Sequence, residues 1–545
     1  MRSATVRLGA AAVSILAAAT LMAPNGLALA KAHRPASSSA PRQGGTLIAE
    51  STSEPVNLDP AGAGDSESLN FIEAMYDTLV QFAPNSLALQ PDLATKWTVK
   101  GTTYTFTIRK GVHFWNGDLL TPQDVAYTLT RIINPQTHSG DNAPFLDIQG
   151  AAAYAAGHAK TVSGIQVQGD NVVVKLVKPE AYFLSTLATV VGGIVDPSWV
   201  KAHHNNIKNA PMGTGPFEMQ SWKIGQSLTM VRNPHYWEKG YPHLDKVVVQ
   251  LDVNPTLEYQ RFTSGQTQLI GSSLSSSMQI GSAAFLQMIH TPMYKKNYVR
   301  GQLLQEYNVQ LQPVGPLSSP LVRQAIAHAI DTKQIAPVMN GRIALGSSLV
   351  PPGTVGYDPA VKALSYDPAL AKRLLAKAGY PHGFSTFLVS VNDPETLDVD
   401  ETIQRQLAAV GIKLTVKDVS IGAYLNAVFK KGAAPVSWGF WLAQFPSGVN
   451  FMYGQFDTNS GGNVQGYYDA KVQNLIEEAN VAPTAAQEAK LLDQAQQIVI
   501  DKDVPAIPIG YGIADALRAS NLMPAAPQYY VHPVYEIQWK YLWLK

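Results

Sequence analysis

A chain of 545 residues without a single cysteine has to be held together by burial alone, because no disulfide can constrain its unfolded state. Single hydrophobic cores stop growing at roughly 250 to 300 residues, so a chain of this length divides into two or three globular units. Apolar residues make up 46% and charged residues 15%, enough to fill such cores and too apolar for wholesale disorder. The missing thiol also excludes thiol catalysis and thiolate metal sites.

The first thirty residues differ from the rest. Arg2 and Arg7 precede an apolar run from Leu8 to Ala23, closed by Pro24, Asn25 and Gly26, and Ala28-Leu29-Ala30 offers the small residues that suit a signal peptidase. The run is shorter than the roughly 20 residues that span a bilayer. Residues 1–30 therefore read as an export signal cleaved after Ala30, and 31–43, rich in Ala, Ser, Pro and basic residues, as a flexible leader. The expected location is periplasmic or otherwise extracytoplasmic, with no cysteine to carry a lipid anchor. Removing Arg2 and Arg7 from 41 basic residues leaves 39 against 40 acidic ones, a balance that argues against nucleic acid or an anionic membrane as partner.

Helices and strands alternate irregularly from about Gly44, which predicts mixed α/β layers. Thr121-Pro122-Gln123-Asp124 supplies a hydroxyl cap, a proline at the first helical position and a carboxylate at the positive end of a helix through Ile133. Ser319-Pro320 opens a second, with Val322, Ala325, Ile326, Ala329 and Ile330 on one face and Arg323 and Gln324 toward its edge. Asp367-Pro368 opens a third that Gly379 stops. Thr484 with Gln487 predicts a capping box for a fourth, running to about Ile500. Strands are predicted at Tyr104–Ile108, Val172–Leu176, Val247–Leu251 and Lys413–Val416, each rich in β-branched or aromatic residues. The stretch Gly271 to Tyr298, with Met288 and Met293, carries no assignable pattern.

Local catalytic signatures are missing: there is no G-x-S-x-G, no H-E-x-x-H and no Gly-Lys pair to close a phosphate loop. His203-His204 precedes Asn205 and Asn206 and reads as a solvated loop. Scattered carboxylates leave a glycosidase pair assembled through the fold open. No cofactor and no metal is implied.

Leu87 to Ile133 resembles the bacterial family 5 solute-binding proteins, the oligopeptide-, dipeptide- and nickel-binding components of ABC importers. The resemblance rests on Gln90 to Trp97 (QPDLATKW), Tyr104 to Gly117 (YTFTIRKGVHFWNG) and Leu120 to Val125 (LTPQDV). Further matches follow in family order: Val56 to Pro60, Met75 to Val80, Gly213 to Phe217, Arg232 to Trp237, Val322 to Ile326, Ala329 to Asp331, Tyr366 to Pro368 and Ala378 to Pro381. Each also has a scaffold reading, with Gly213, Gly215 and Pro216 suiting a tight turn and Arg109 and Lys110 flanking a strand end.

The resemblance implies a two-lobed α/β clamshell, a periplasmic-binding-protein fold of type II. Lobe I would comprise 44–82, 197–300 and 505–545, with an extra subdomain at 83–196, and lobe II would be 301–504. The chain would cross between lobes near Asn308–Pro313 and Val504–Pro508, with Val309, Gln310, Pro505 and Ala506 at the hinge. It further implies a monomer that binds a small-molecule or peptide ligand, hands it to permease subunits and makes or breaks no bond. Other uses remain open: a secreted hydrolase, or a periplasmic sensor or chaperone module on the same scaffold.

In family members a Trp followed closely by an acidic residue and an aromatic lines the pocket. Here that segment is Trp438 to Gly448, and the resemblance places Trp438, Phe440, Trp441, Gln444 and Phe445 at the ligand. Gln444 stands where the peptide binders carry an acid. A neutral amide cannot compensate a buried ammonium as a carboxylate does, which argues against a free peptide amino terminus as the group bound there. Ser53 and Glu54, next to Thr52, are expected on the opposite lobe. Glu54 has two readings, a replacement anionic anchor or a solvated loop carboxylate.

Overall fold

The computed structural model describes residues 40–545 apart from 64, 140–141, 272–289, 293, 295, 393, 444, 461 and 483. The export signal, nearly all of the leader, Gln444, Met288 and Met293 lie outside the described residues. Among those described, no helix is long and apolar enough to cross a membrane.

One eleven-stranded sheet runs through the molecule. Its strands, β1 to β11 in chain order, are Thr46–Glu50, Phe217–Lys223, Ser227–Arg232, Lys246–Gln250, Leu269–Ile270, Tyr298–Leu311, Ile343–Leu345, Ser385–Val391, Lys413–Val419, Val436–Leu442 and Ala506–Arg518. Across the sheet the order is β9-β8-β10-β6-β11-β5-β1-β4-β3-β2, with β7 on β11. The two long strands β6 and β11 are antiparallel and belong to both wings. Their first and last residues pair in one wing, Tyr298 with Leu517, and their other ends in the other, Gln310 with Ala506. The ladder breaks between Gln302 and Glu306. Leu303 packs into one core and Leu304 into another at that step.

The predicted helices and strands form where their signals put them. α1 is Ser66–Met75. In α2, Pro122–Ile133, the Asp124 carboxylate accepts from both the backbone N–H and the hydroxyl of Thr121, each at 2.8 Å. α3 is Pro255–Thr263. α4, Pro320–Ala329, buries Val322, Ala325, Ile326 and Ala329. Arg323, expected toward its edge, is instead 6% exposed. Its guanidinium donates to the carbonyls of Asp503, Leu317 and Ser318, which satisfies fixed donors that would otherwise bar burial. α5, Pro368–Lys377, starts where Asp367 accepts from Leu370 N at 2.8 Å. α6 is Pro394–Ala408, α7 Gly448–Phe456 and α8 Ala470–Asn480. α9, Ala485–Gln497, is capped by Thr484 and continues as a π-helical turn over Ile498–Asp503. The strands predicted at 104–108 and 172–176 pair within a separate four-stranded antiparallel sheet.

The recurrent segments Met75–Val80, Gly213–Phe217 and Arg232–Trp237 converge on one buried node in the first lobe. Asp77 accepts from Thr214, Tyr236 and Trp237 at 2.8 to 3.0 Å. A Cβ on Gly213 would lie 2.0 Å from the Met75 carbonyl oxygen, so only glycine permits the close approach of these backbones. Arg109 caps the node, with its guanidinium carbon 4.0 Å from the Trp237 ring centroid and two N–H groups on the Asp92 carbonyl.

Candidate functional site

The Trp-rich segment becomes β10, laid antiparallel against the second half of β6. Alternation along a strand sends its aromatics to opposite faces. Trp438 and Phe440 lie on the face of Tyr307, at ring-centroid distances of 5.7 and 6.2 Å. Trp438 is buried in the core beneath α4 to α6, and the Tyr424 hydroxyl donates to its carbonyl at 2.6 Å. Phe440, paired with Tyr307, is 50% exposed.

Trp441 faces the other way. Its indole N–H donates to Asn450 Oδ1 at 2.8 Å, and its ring edge lies where a Cβ on Gly454 or Gly462 would come within 2.1 or 2.4 Å. These two glycines make a slot that fixes the indole at the surface of the α7 to α9 core, where Ala443 also packs. Phe445 follows and is buried by a residue the sequence did not single out. Tyr182, from the subdomain that carries the separate four-stranded sheet, stacks on it with centroids 4.3 Å apart and planes 15° from parallel.

That stack joins the two halves. Leu87 and Val534 pack beside it against the same second-lobe core, and the Tyr182 hydroxyl interacts with Glu180 and with Asn480 of α8. Burial raises the Glu180 carboxyl to about 8. Tyr182 thus meets Phe445, Trp441 lies in its slot on the α7 to α9 core, and Trp438 and Phe440 lie on the other face of β10. The structure does not bring the four aromatics into one pocket.

On the first lobe, Ser53 N donates to Ser51 Oγ at 3.2 Å. Glu54 accepts from Trp222 Nε1 at 2.8 Å and Gly225 N at 3.1 Å, both in the β2–β3 hairpin. Its carboxylate is therefore engaged within its own lobe. Val309 and Gln310 lie in β6 between Trp438 and Ser437 of β10 and Ile507 and Ala506 of β11, and the Pro505 carbonyl accepts from Leu311 N. His203 packs against Trp199 with ring planes tilted by 32° and with Nδ1 2.9 Å from the Trp199 carbonyl. Among the described residues no three His, Asp or Glu side chains are placed to hold a metal. Sequence reasoning missed Tyr182, Tyr307 and Asn450, none of which has a local signal; only the fold makes them neighbours.

Residues 88–463 match the family described as bacterial extracellular solute-binding proteins, family 5. The chain is 26% identical to heme-binding protein A of Haemophilus influenzae, covering 86% of this chain and 88% of the relative. It is 25% identical to di/tripeptide-binding protein 2 of Pseudomonas aeruginosa, over 88% and 91%. Among solved structures it is similar to the periplasmic binding protein DppA of Helicobacter pylori in complex with the peptide STSA, at 25% identity and a TM-score of 0.74, over 92% of this chain and 98% of that one.

Proposed function

Because the chain belongs to the bacterial extracellular solute-binding proteins of family 5, we propose that it traps a peptide-like or other small organic solute between its lobes. It then presents the closed form, as a monomer exported with a cleaved signal, to the permease subunits of an ABC importer. The observation that carries this reading is the pairing of two cores across β6 and β11 with an interlobe aromatic contact, Tyr182 on Phe445. A solute that touches both lobes binds the closed state preferentially and shifts the population toward it. The bending point is the interrupted ladder, where Leu303, Leu304 and Gln305 face Gly512 alone; Val309, Gln310, Pro505 and Ala506 anchor it on the second lobe's side. No bond is made or broken in this cycle.

Native mass spectrometry of the mature protein, before and after unfolding, tests for a co-purified solute. Titration with di- and tripeptides, followed by X-ray scattering, tests for closure. Saturable binding with a smaller radius of gyration is expected, weakened severalfold in Tyr182→Ala at unchanged fold. Binding without compaction, or none across peptides and sugars, overturns the reading.

A further inference from the structure

The strands β5, β1 and β4 are parallel to one another and run in the direction of β6, so their carboxyl ends face the second lobe. In open α/β sheets ligands bind outside such ends. A small cavity of about 20 Å³ sits there, bounded by Glu50 and Ser51 at the end of β1, Glu67 and Asn70 of α1, Glu258 of α3, and Gly271. Three carboxylates thus line a space with room for one water-sized group.

We propose that this cavity is a subsite for a single protonated primary amine, carried by the solute or arriving as free ammonium. Two observations beyond the acidic composition point to a cation. Glu258 is 1% and Glu50 6% exposed, yet Glu258 Oε2 and Glu50 Oε2 have no hydrogen-bond partner among the described residues. Buried acceptors without donors are costly, and an ammonium brings three donors and a positive charge. The charges around the site are unbalanced in the same direction. Asp65 and Asp252 face Glu67, and among the described residues Arg261 is the cation at the site, its guanidinium 3.5 Å from the other oxygen of Glu50 and partly exposed. The space is too small for a hydrated metal ion.

The subsite deepens the solute-binding reading and rests on it for physiological meaning. It supplies on the first lobe the anionic recognition that Gln444 does not offer on the second, and that Glu54 has committed to Trp222 and Gly225. Without a cation, burial raises Glu67 and Glu258 to about 8 and also raises Glu50, against the opposing pull of Arg261. An entering ammonium therefore displaces protons, and its affinity rises about tenfold per pH unit for each proton released.

Methylammonium chloride is the probe, titrated calorimetrically at pH 6.5 and 8.5 in buffers of different ionisation enthalpy. Expected are saturable binding, release of at least one proton, affinity at least tenfold higher at pH 8.5, and a tenfold or greater loss in Glu258→Gln or Glu50→Gln. Ammonium chloride in a parallel arm separates the free ion from an amine on a carbon chain, and tetramethylammonium should not compete. Absence of saturable binding, binding without proton release, or binding unchanged in both variants overturns the subsite. The proton count is read on the parent protein, so a variant that fails to fold leaves the test intact. If N-acetylated peptides close the lobes while methylammonium does not bind, the subsite falls and the solute-binding reading stands; methylammonium binding without peptide binding gives the reverse.

Discussion

The two halves of the molecule solve the problem of a disulfide-free interior differently. The cores on the β1 side draw on residues from Leu47 to Trp539 and Leu542 and from Ala61 to Tyr535, whereas those on the β10 side draw on Leu304 to Ile509. The first half is consequently stitched by polar bonds between segments remote in sequence. Phe82 N donates to the Tyr535 hydroxyl across 453 positions, Trp539 Nε1 to the Asn70 carbonyl across 469, and Arg131 grips Asp59 with two N–H groups. The second half is mostly a contiguous run of capped helices on parallel strands, and its longest buried polar contacts, such as Asn308 to Gln455 across 147 positions and Arg323 to the Asp503 carbonyl across 180, stop well short of those to the C-terminal segment. A contiguous lobe finds its polar partners within one stretch of chain, whereas a lobe assembled from scattered pieces needs directional bonds that also reach the far end of the chain to fix which pieces meet.

The sharpest way to break this contrast is Arg131→Ala. Both partners are nearly buried, with side chains 3% and 8% exposed, and removing one leaves an uncompensated charge. The expected loss is about 3–5 kcal/mol, read by urea unfolding, with the Trp199 and Trp115 environment disturbed before that of Trp441. An unfolding transition that moves both environments together would show that the halves are not separable in this way.

Glu306 tests the opposite half, where a buried carboxyl sits on β6. It is 0% exposed, and burial raises its carboxyl to about 8 despite hydrogen bonds from Asn308 and Gln455. The native state thus keeps a proton that an unfolded glutamate, with a pKa of about 4.3, releases. Its stabilising contribution is complete below that value and is lost as pH rises through about 8. Glu306→Gln should match the parent at pH 5 and exceed it by a few kcal/mol, in order of magnitude, at pH 8.5, measured as denaturation midpoints. Equal pH profiles would remove the buried carboxyl from the comparison.

A smaller effect is expected at the Trp441 slot. Gly454→Ala forces a Cβ to within 2.1 Å of the indole, which should cost about 1–3 kcal/mol and shift Trp441 fluorescence while leaving the first half's unfolding unchanged. Smallest is Asp367→Ala, which removes the cap on Leu370 N for about 1 kcal/mol, read as a lowered thermal midpoint of the second half alone.

How much was legible before the fold was known follows the same division. The caps at Thr121, Asp367 and Thr484 and the β-branched runs at 104–108 and 413–416 were readable because each signal and the element it shapes lie within one helical turn or one strand. Arg323 was misplaced toward an edge because the carbonyls that satisfy it, above all that of Asp503, are brought close only by packing. The family segments were legible as a set, but their roles were not: Asp77, Thr214, Tyr236 and Trp237 form one node that no spacing reveals.

At the candidate site the sequence supplied the aromatic run from Trp438 to Phe445 and the neutral residue at 444. Strand alternation then divided that run between two faces, and tertiary contact selected Tyr182 as the partner of Phe445. By itself the sequence determined composition, local element starts, the absence of thiol chemistry and the order of recurrent segments, because these depend on neighbours along the chain. The interrupted β6–β11 ladder, the engagement of Glu54 and the meeting of Glu50, Glu67 and Glu258 around one cavity were decided only by the tertiary structure. They depend on distances between residues up to hundreds of positions apart, which burial fixes and local propensity does not encode.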